Sequence, residues 1–192
     1  MLRRLYDWTM SYASGPRAST VLGAVSFVES SVFPIPPDLL LVPMVIARRE
    51  AAWRLALLCT LTSVAGALLG YAIGHLLWEQ VAMPIFQFYG YMDHFEHFKD
   101  IFNTWGWWFV CIAGVTPFPY KVITIASGVA GLPLPVFILA SLLSRGIRFF
   151  FVAGLLYFFG PPIRVFIEKR LGLVFTIFMV LLVGGFYLVK FV

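Results

Sequence analysis

The sequence predicts an all-α integral membrane protein: an inverted repeat with two re-entrant helical hairpins plus spanning helices. Three observations predict it. Of 192 residues, 61% are hydrophobic and 12% charged, against roughly 45–50% and about 25% in soluble domains, and mean hydropathy is +0.91. So few polar residues cannot cover a soluble globule, and an aromatic content of 18% excludes disorder. Second, two apolar runs are cut by Pro-x-Pro into arms too short to cross a bilayer. Third, those two runs repeat one another.

The chain reads as one membrane domain. Residues 1–17, MLRRLYDWTMSYASGPR, are basic and aromatic without the long apolar core of a signal peptide. They suit an interfacial helix on the cytoplasmic leaflet. Repeat 1 covers 18–78. Its run 18–47 is broken by Pro34, Pro36 and Pro37, because proline removes an N–H and disfavours helix in the residue before it. Each arm is then roughly 15–24 Å long, short of a core of about 30 Å. Arg3, Arg4 and Arg17 precede this run and Arg48, Arg49 and Arg54 follow it. One crossing would put a basic cluster on each side, whereas a hairpin keeps both inside. Residues 52–78 are long enough to span.

Residues 79–104 form an outer amphipathic connector, with Glu79, Asp93, Glu96 and Asp100 against Lys99 over its first part. Asp93, His94, Glu96 and His97 read as the wet face of an interfacial helix whose other face carries Met92, Phe95, Phe98 and Phe102, not as a metal site. Repeat 2 covers 105–160. Its run 105–132 is broken by Pro117 and Pro119, and 133–159 spans. A cytoplasmic turn with Arg164, Lys169 and Arg170 against Glu168 and a C-terminal spanning helix at 171–192 complete the chain.

The repeat is visible in the breaks. Val32-Phe33-Pro34-Ile35-Pro36-Pro37-Asp38 aligns with Val115-Thr116-Pro117-Phe118-Pro119-Tyr120-Lys121 at one constant offset. One hairpin enters from inside and the other from outside, the arrangement of transporters whose broken helices meet near the midplane.

Five ionisable residues fall at membrane depth, Glu29, Asp38, Lys121, Arg145 and Arg148, where each needs a partner or a function. Asp38 and Lys121 hold equivalent repeat positions with opposite sign, so a salt bridge between the hairpin tips is expected. Glu29, a carboxylate in low dielectric, suits proton carriage. Arg145 and Arg148 share a helix face. They either grip a phosphate through their planar forks or neutralise Glu29 and Asp38. Glu29 and Asp38 are therefore the proton-coupling candidates, and Lys121, Arg145 and Arg148 the substrate-binding ones. Cys59 and Cys111 read as packing residues. No metal set, cofactor motif, nucleophile elbow or nucleic-acid surface is present.

Glu29-x-x-x-x-Pro34-x-Pro36-x-Asp38, Gly66-x-x-x-Gly70-Tyr71-x-x-Gly74 and Thr116-Pro117-Phe118-Pro119-Tyr120-Lys121 with Ala126-x-Gly128 resemble the DedA family of bacterial inner-membrane proteins, also called the SNARE-associated or VTT-domain family, and most nearly its YqaA-like branch. The resemblance covers roughly 18–159. It implies two re-entrant hairpins, a multi-pass inner-membrane location, and transport of undecaprenyl phosphate or phospholipid with proton coupling. Glu29 and Asp38 match the family's acidic positions. Lys121 stands one residue from the second-hairpin arginine. The family's other arginine has no counterpart among Gly114, Val115 and Thr116.

The expected activity is non-enzymatic: a flippase- or scramblase-like translocase for an anionic phospholipid or polyprenyl phosphate. The alternatives are a proton-coupled transporter of a small solute or ion, and a non-transporting scaffold. The expected partners are an anionic membrane lipid and protons, with no nucleic acid. The sequence also permits a homo-oligomer.

Overall fold

The computed structural model describes residues 17–31, 36–78, 80, 83–84, 92–116 and 119–169. The interfacial segment before residue 17, Pro34, Pro117 and the C-terminal span at 171–192 lie outside the described residues. Every regular element among those described is helical: α1 (Ala18–Ser31), α2 (Asp38–Ala47), a 3-10 turn (Arg49–Ala51), α3 (Ala52–Leu77), α4 (Met92–Val115), α5 (Tyr120–Ala130) and α6 (Leu134–Lys169).

Proline and glycine set the boundaries. Pro37 precedes α2, and Pro119, extended at φ −61°, ψ 99°, precedes α5. Gly131 closes α5 in the left-handed region at φ 69°, where the Leu132 N–H reaches back to the Ser127 carbonyl at 3.0 Å. Such a turn caps the last carbonyls of a helix, and a side chain there would be strained. Phe159, at φ −112°, ψ 16°, interrupts α6. The helix then resumes through Pro161 and Pro162 to Lys169, so residues expected as a turn are helical. A helix restarted after a break tolerates proline in its first turn. The expected boundary between connector and second repeat likewise falls inside one helix, because α4 runs unbroken from Met92 to Val115.

The contacts give each helix a direction. Gly23 of α1 faces Leu58 and Thr62 of α3, Phe27 faces Gly66, and Ser30 faces Ser63, so α1 runs alongside α3 in the same sense. In α4, Gly114 meets Ser144, and the Thr116 carbonyl just beyond meets Arg148, so α4 runs with α6. Between the long helices the order reverses: Arg49 lies at Gly160, Trp53 at Tyr157, and Tyr71 at Phe137, making α3 and α6 antiparallel. The short helices cross over. Leu41, Met44 and Val45 of α2 pack with Phe149, Ala153 and Leu156 of α6, while Thr124 and Ile125 of α5 pack on Gly70 and Gly74 of α3.

Arg49–Leu77 and Leu134–Gly160, of 29 and 27 residues, are long and apolar enough to cross a membrane by length and composition. Polarity is distributed inside out. Phe151 and Phe158 are each 68% exposed, whereas Arg145 is 0% exposed and Ser26, Ser30, Ser63, Thr124, Ser127 and Ser141 are all buried. A soluble protein rarely shows such continuous apolar cover, and lipid accepts it.

Helices in lipid associate by close backbone approach, which needs small residues. A Cβ on Gly66 would run into the Phe27 carbonyl, and one on Gly74 into the Ile125 carbonyl. Backbone cannot step aside, so Gly66→Ala and Gly74→Ala should each cost about 1–3 kcal/mol. A Cβ added at Gly146 would meet nothing nearer than Thr60 Cγ2, 3.8 Å away. Gly146→Ala should therefore be neutral or gain up to about 1 kcal/mol of helix propensity. Unfolding in detergent checks the contrast, and equal behaviour of the three variants would contradict this packing.

Candidate functional site

Where α1, α3, α5 and α6 converge, the interior holds a charge network. At its centre is Arg145, with a side chain only 1% exposed. Its Nη2 donates to Glu29 Oε2 at 2.6 Å and its Nε to Ser63 Oγ at 2.6 Å. Ser63 lies 2.7 Å from Ser30 Oγ, and Ser30 is 3.1 Å from Glu29 Oε2. Either hydroxyl of the Ser30–Ser63 pair can donate to the other, and when Ser63 donates, the Ser30 proton is left for Glu29, which closes a ring of hydrogen bonds. Ser30 has a second acceptor at equal distance, the Ser26 carbonyl at 3.1 Å.

The guanidinium is also stacked. Its Cζ sits 4.8 Å from the Tyr120 ring centroid and 4.7 Å from that of Phe149. Each desolvated cation–π contact contributes on the order of 2 kcal/mol. The Tyr120 hydroxyl donates to Ser141 Oγ at 2.7 Å, which fixes the ring. Phe149 and Ser141 flank Arg145 one turn away on either side of α6.

Arg148, one turn on, is held differently. Its Nη2 donates to Asp38 Oδ2 at 2.6 Å and its Nη1 to the Thr116 carbonyl at 2.9 Å. One guanidinium thus ties the start of α2 to the end of α4. Asp38 occupies the first turn of α2 and Thr116 follows the last turn of α4. Both ends suit their charges, because an acid favours a helix N-terminus and a cation a C-terminus. This pair is less enclosed, with side chains 16% and 23% exposed.

The structure therefore gathers four of the five predicted ionisable residues and pairs each arginine with one acid. The expected Asp38–Lys121 bridge is replaced by Asp38–Arg148. The reason is geometric, since α2 lies along α6 and its first residue opens beside Arg148. Lys121, partly buried on α5, is one residue from Tyr120 and three from Thr124, whose hydroxyl contacts the Lys121 carbonyl at 2.9 Å. Sequence reasoning missed Ser30, Ser63 and Tyr120. Their signal was present as hydroxyls recurring at helical spacing inside apolar runs, Ser26 with Ser30 and Ser141 with Ser144.

Two buried polar atoms have no hydrogen-bond partner among the described residues, Asp38 Oδ1 and Arg145 Nη1. The network thus offers an unfilled acceptor beside one pair and an unfilled donor beside the other. Among the described residues, no three His, Cys, Asp or Glu side chains form a metal-binding group.

Removing the partner of a sealed guanidinium such as Arg145, 1% exposed beside a Glu29 that is 13% exposed, leaves an uncompensated buried charge, at about 3–5 kcal/mol. Glu29→Ala should show that full loss. Asp38→Ala should cost roughly 1–2 kcal/mol, between the buried and surface limits, because water reaches its pair. Chemical unfolding of both variants in detergent tests this, and equal losses would mean the pairs are equally sealed.

Comparison with known proteins agrees with the motif resemblance. The chain is 34% identical over 186 residues to an uncharacterized protein of Haemophilus influenzae, covering 97% of this chain and 96% of that one. It is 36% identical over 151 residues to an uncharacterized protein of Histophilus somni, covering 79% and 78%. No solved structure matches. The VTT domain matches residues 35–158, from the first proline break to the end of the apolar part of α6. With the match spanning more than half of the sequence and both long apolar helices, the chain belongs to the membrane-associated VTT-domain family, the DedA family.

Proposed function

We propose that this protein is a lipid translocase of the bacterial inner membrane, moving an anionic phospholipid or polyprenyl phosphate with proton coupling. The observation that carries this reading is the pairing of Arg145 and Arg148, one turn apart inside the helix bundle, each with a single carboxylate. A phosphate offers what Glu29 and Asp38 offer, an oxyanion matched to a guanidinium fork. Substrate and carboxylate therefore compete for the same cations. Protonating a carboxylate ends its claim on the arginine, and a headgroup phosphate then takes its place. Proton movement and phosphate binding become two sides of one exchange.

The two arginines divide the task. Arg145, stacked, doubly bonded and sealed, anchors the site. Arg148, less enclosed and bonded to Asp38 and one carbonyl, is the exchangeable cation. Lys121 of α5 is proposed as a further cation for the substrate. Glu29 and Asp38 carry the protons.

Helix direction supports two re-entrant hairpins in an inverted repeat. The chain leaves the basic end beside α3 in α1 and is back at that end by Arg48, so α2 must return. α4, α5 and α6 follow the same sequence of moves from the opposite end. Each short second helix packs on the long helix of the other half, as a two-fold axis in the membrane plane requires. On this reading Arg17 and Arg48 are cytoplasmic and Asp93 and His97 lie opposite.

Proteoliposomes loaded with labelled lipid test the function. Arg148→Lys keeps the charge but loses the fork, and should fold normally while moving anionic lipid at less than about a tenth of the normal rate. Glu29→Gln should flatten the pH dependence of transport. Normal flux in Arg148→Lys would reduce the arginines to counter-ions, and flux of a small solute alone would favour a solute carrier.

Orientation is tested separately with single cysteines at Arg17, Arg48 and His97 in intact cells. A membrane-impermeant thiol reagent applied from outside should label His97→Cys alone. Labelling of Arg17→Cys and Arg48→Cys from opposite faces would exclude the first hairpin.

A further inference from the structure

A second basic site lies at the corner where α2 passes into α3. A cavity of about 510 Å³ is lined there by Ala47, Arg48, Arg49, Glu50, Ala51 and Arg54. That volume is in the range of a small-ligand pocket, and among the described residues its lining holds three arginines and one glutamate. The cavity lies apart from the buried network. Arg48 follows the ten-residue α2 that begins at Asp38, about 15 Å along a helix, or half the apolar thickness of a bilayer.

Its surroundings are those of the membrane surface. Trp53 stacks with Phe150 at 6.1 Å and tilts against Tyr157 at 5.7 Å, and both Trp53 and Tyr157 keep more than a third of their surface exposed. Tryptophan and tyrosine with one wet end concentrate where headgroups meet hydrocarbon. Beyond the cavity, the exposed face of α3 that carries Arg54 turns apolar. Leu57 and Leu61, one and two turns beyond Arg54, are 49% and 53% exposed. On the α6 side Arg49 is seated against Gly160, where an added Cβ would stand 2.8 Å from its Nη2. The absence of a side chain at Gly160 gives that guanidinium its place.

A cationic pocket continuous with an apolar stripe is matched by an amphiphile, a phosphate on acyl chains, and a free anion would use only half of it. We infer that the Arg48–Arg49–Arg54 corner is a headgroup-binding site for anionic phospholipid at the membrane surface. Basic pockets between helices are suited to such headgroups. The corner holds a lipid at one end of α2, with the Asp38–Arg148 pair at the other. It rests on the translocase reading only for the idea that this lipid proceeds inward, because binding here needs no transport.

Native mass spectrometry of the full-length protein tests the site, with phosphatidylglycerol, phosphatidylcholine or inorganic phosphate as titrant. In Arg48→Gln/Arg49→Gln/Arg54→Gln, phosphatidylglycerol affinity should fall about a hundredfold, while phosphatidylcholine adducts stay unchanged. Arg54→Gln alone, with its exposed side chain, should give about a fivefold fall and serves if the triple variant does not fold. Unchanged phosphatidylglycerol affinity in either variant overturns the proposal. So does inorganic phosphate displacing the lipid at equal concentration, which would make this a free-phosphate site. Arg148→Gln should keep the corner's lipid while losing transport. Loss of the lipid in that variant would merge the corner with the buried site and overturn the proposal. A wild-type protein that binds phosphatidylglycerol here yet moves none would sink the translocase reading alone.

Discussion

A fully buried guanidinium sets the terms for this fold. Arg145 is 0% exposed, and in surroundings without water each of its faces and donors must be met by protein or left at a cost. Glu29 comes from α1, Ser63 from α3, the Tyr120 ring from α5, and Phe149 from its own helix. Four helices must therefore arrive at one point with side chains in register. The glycines of α3 allow that convergence, because Gly66 admits the backbone of α1 and Gly74 that of α5 on either side of the network. The charge supplies the reason for close packing, and the glycines supply the means.

The same economy governs the neutral polar residues. Lipid cannot satisfy a hydroxyl, so many here bond to the carbonyl one turn back: Ser31 to Phe27, Thr60 to Ala56, Ser127 to Ile123 and Ser144 to Ala140. Such hydroxyls place no demand on neighbouring helices. Those that do reach across, Ser26 to the Cys59 carbonyl and Thr124 to the Ser30 carbonyl, lie where α1, α3 and α5 meet. Among the described residues the polar interior is thus largely self-sufficient along each helix, with its cross-links gathered around the charges apart from the Tyr71 hydroxyl, which donates to the Leu132 carbonyl at 2.8 Å.

The two ion pairs are chemically alike and physically different. Two stacked rings, a serine and a carboxylate hold the buried Arg145 guanidinium more firmly than Arg148 is held, while its partner Glu29 keeps 13% of its side chain exposed. Arg148 joins α2 to α4 through an acid and a main-chain carbonyl at the helix breaks. An anion that replaced Asp38 there would loosen the contact between the two breaks as it bound. Ligand binding and rearrangement of the helix ends would then be a single event, which an apolar contact at the same place could not provide.

Much of this was legible in the residues themselves. Apolar excess, proline-cut runs and the alignment of the two breaks determined a helical membrane protein with irregular backbone at two places. The cost of charge in lipid marked Glu29, Asp38, Lys121, Arg145 and Arg148 without reference to any contact. Those are one-dimensional properties, set by composition and by what proline does to its own neighbours. Pairing is not. Repeat symmetry pointed from Asp38 to Lys121, yet the carboxylate meets Arg148, because the direction in which α2 lies against α6 depends on side chains far apart in sequence. Ser30, Ser63 and Tyr120 looked like ordinary residues of apolar helices until packing brought them to a guanidinium. Only the tertiary structure decided which acid holds which arginine, since partner choice is fixed by helix crossings that no local pattern encodes.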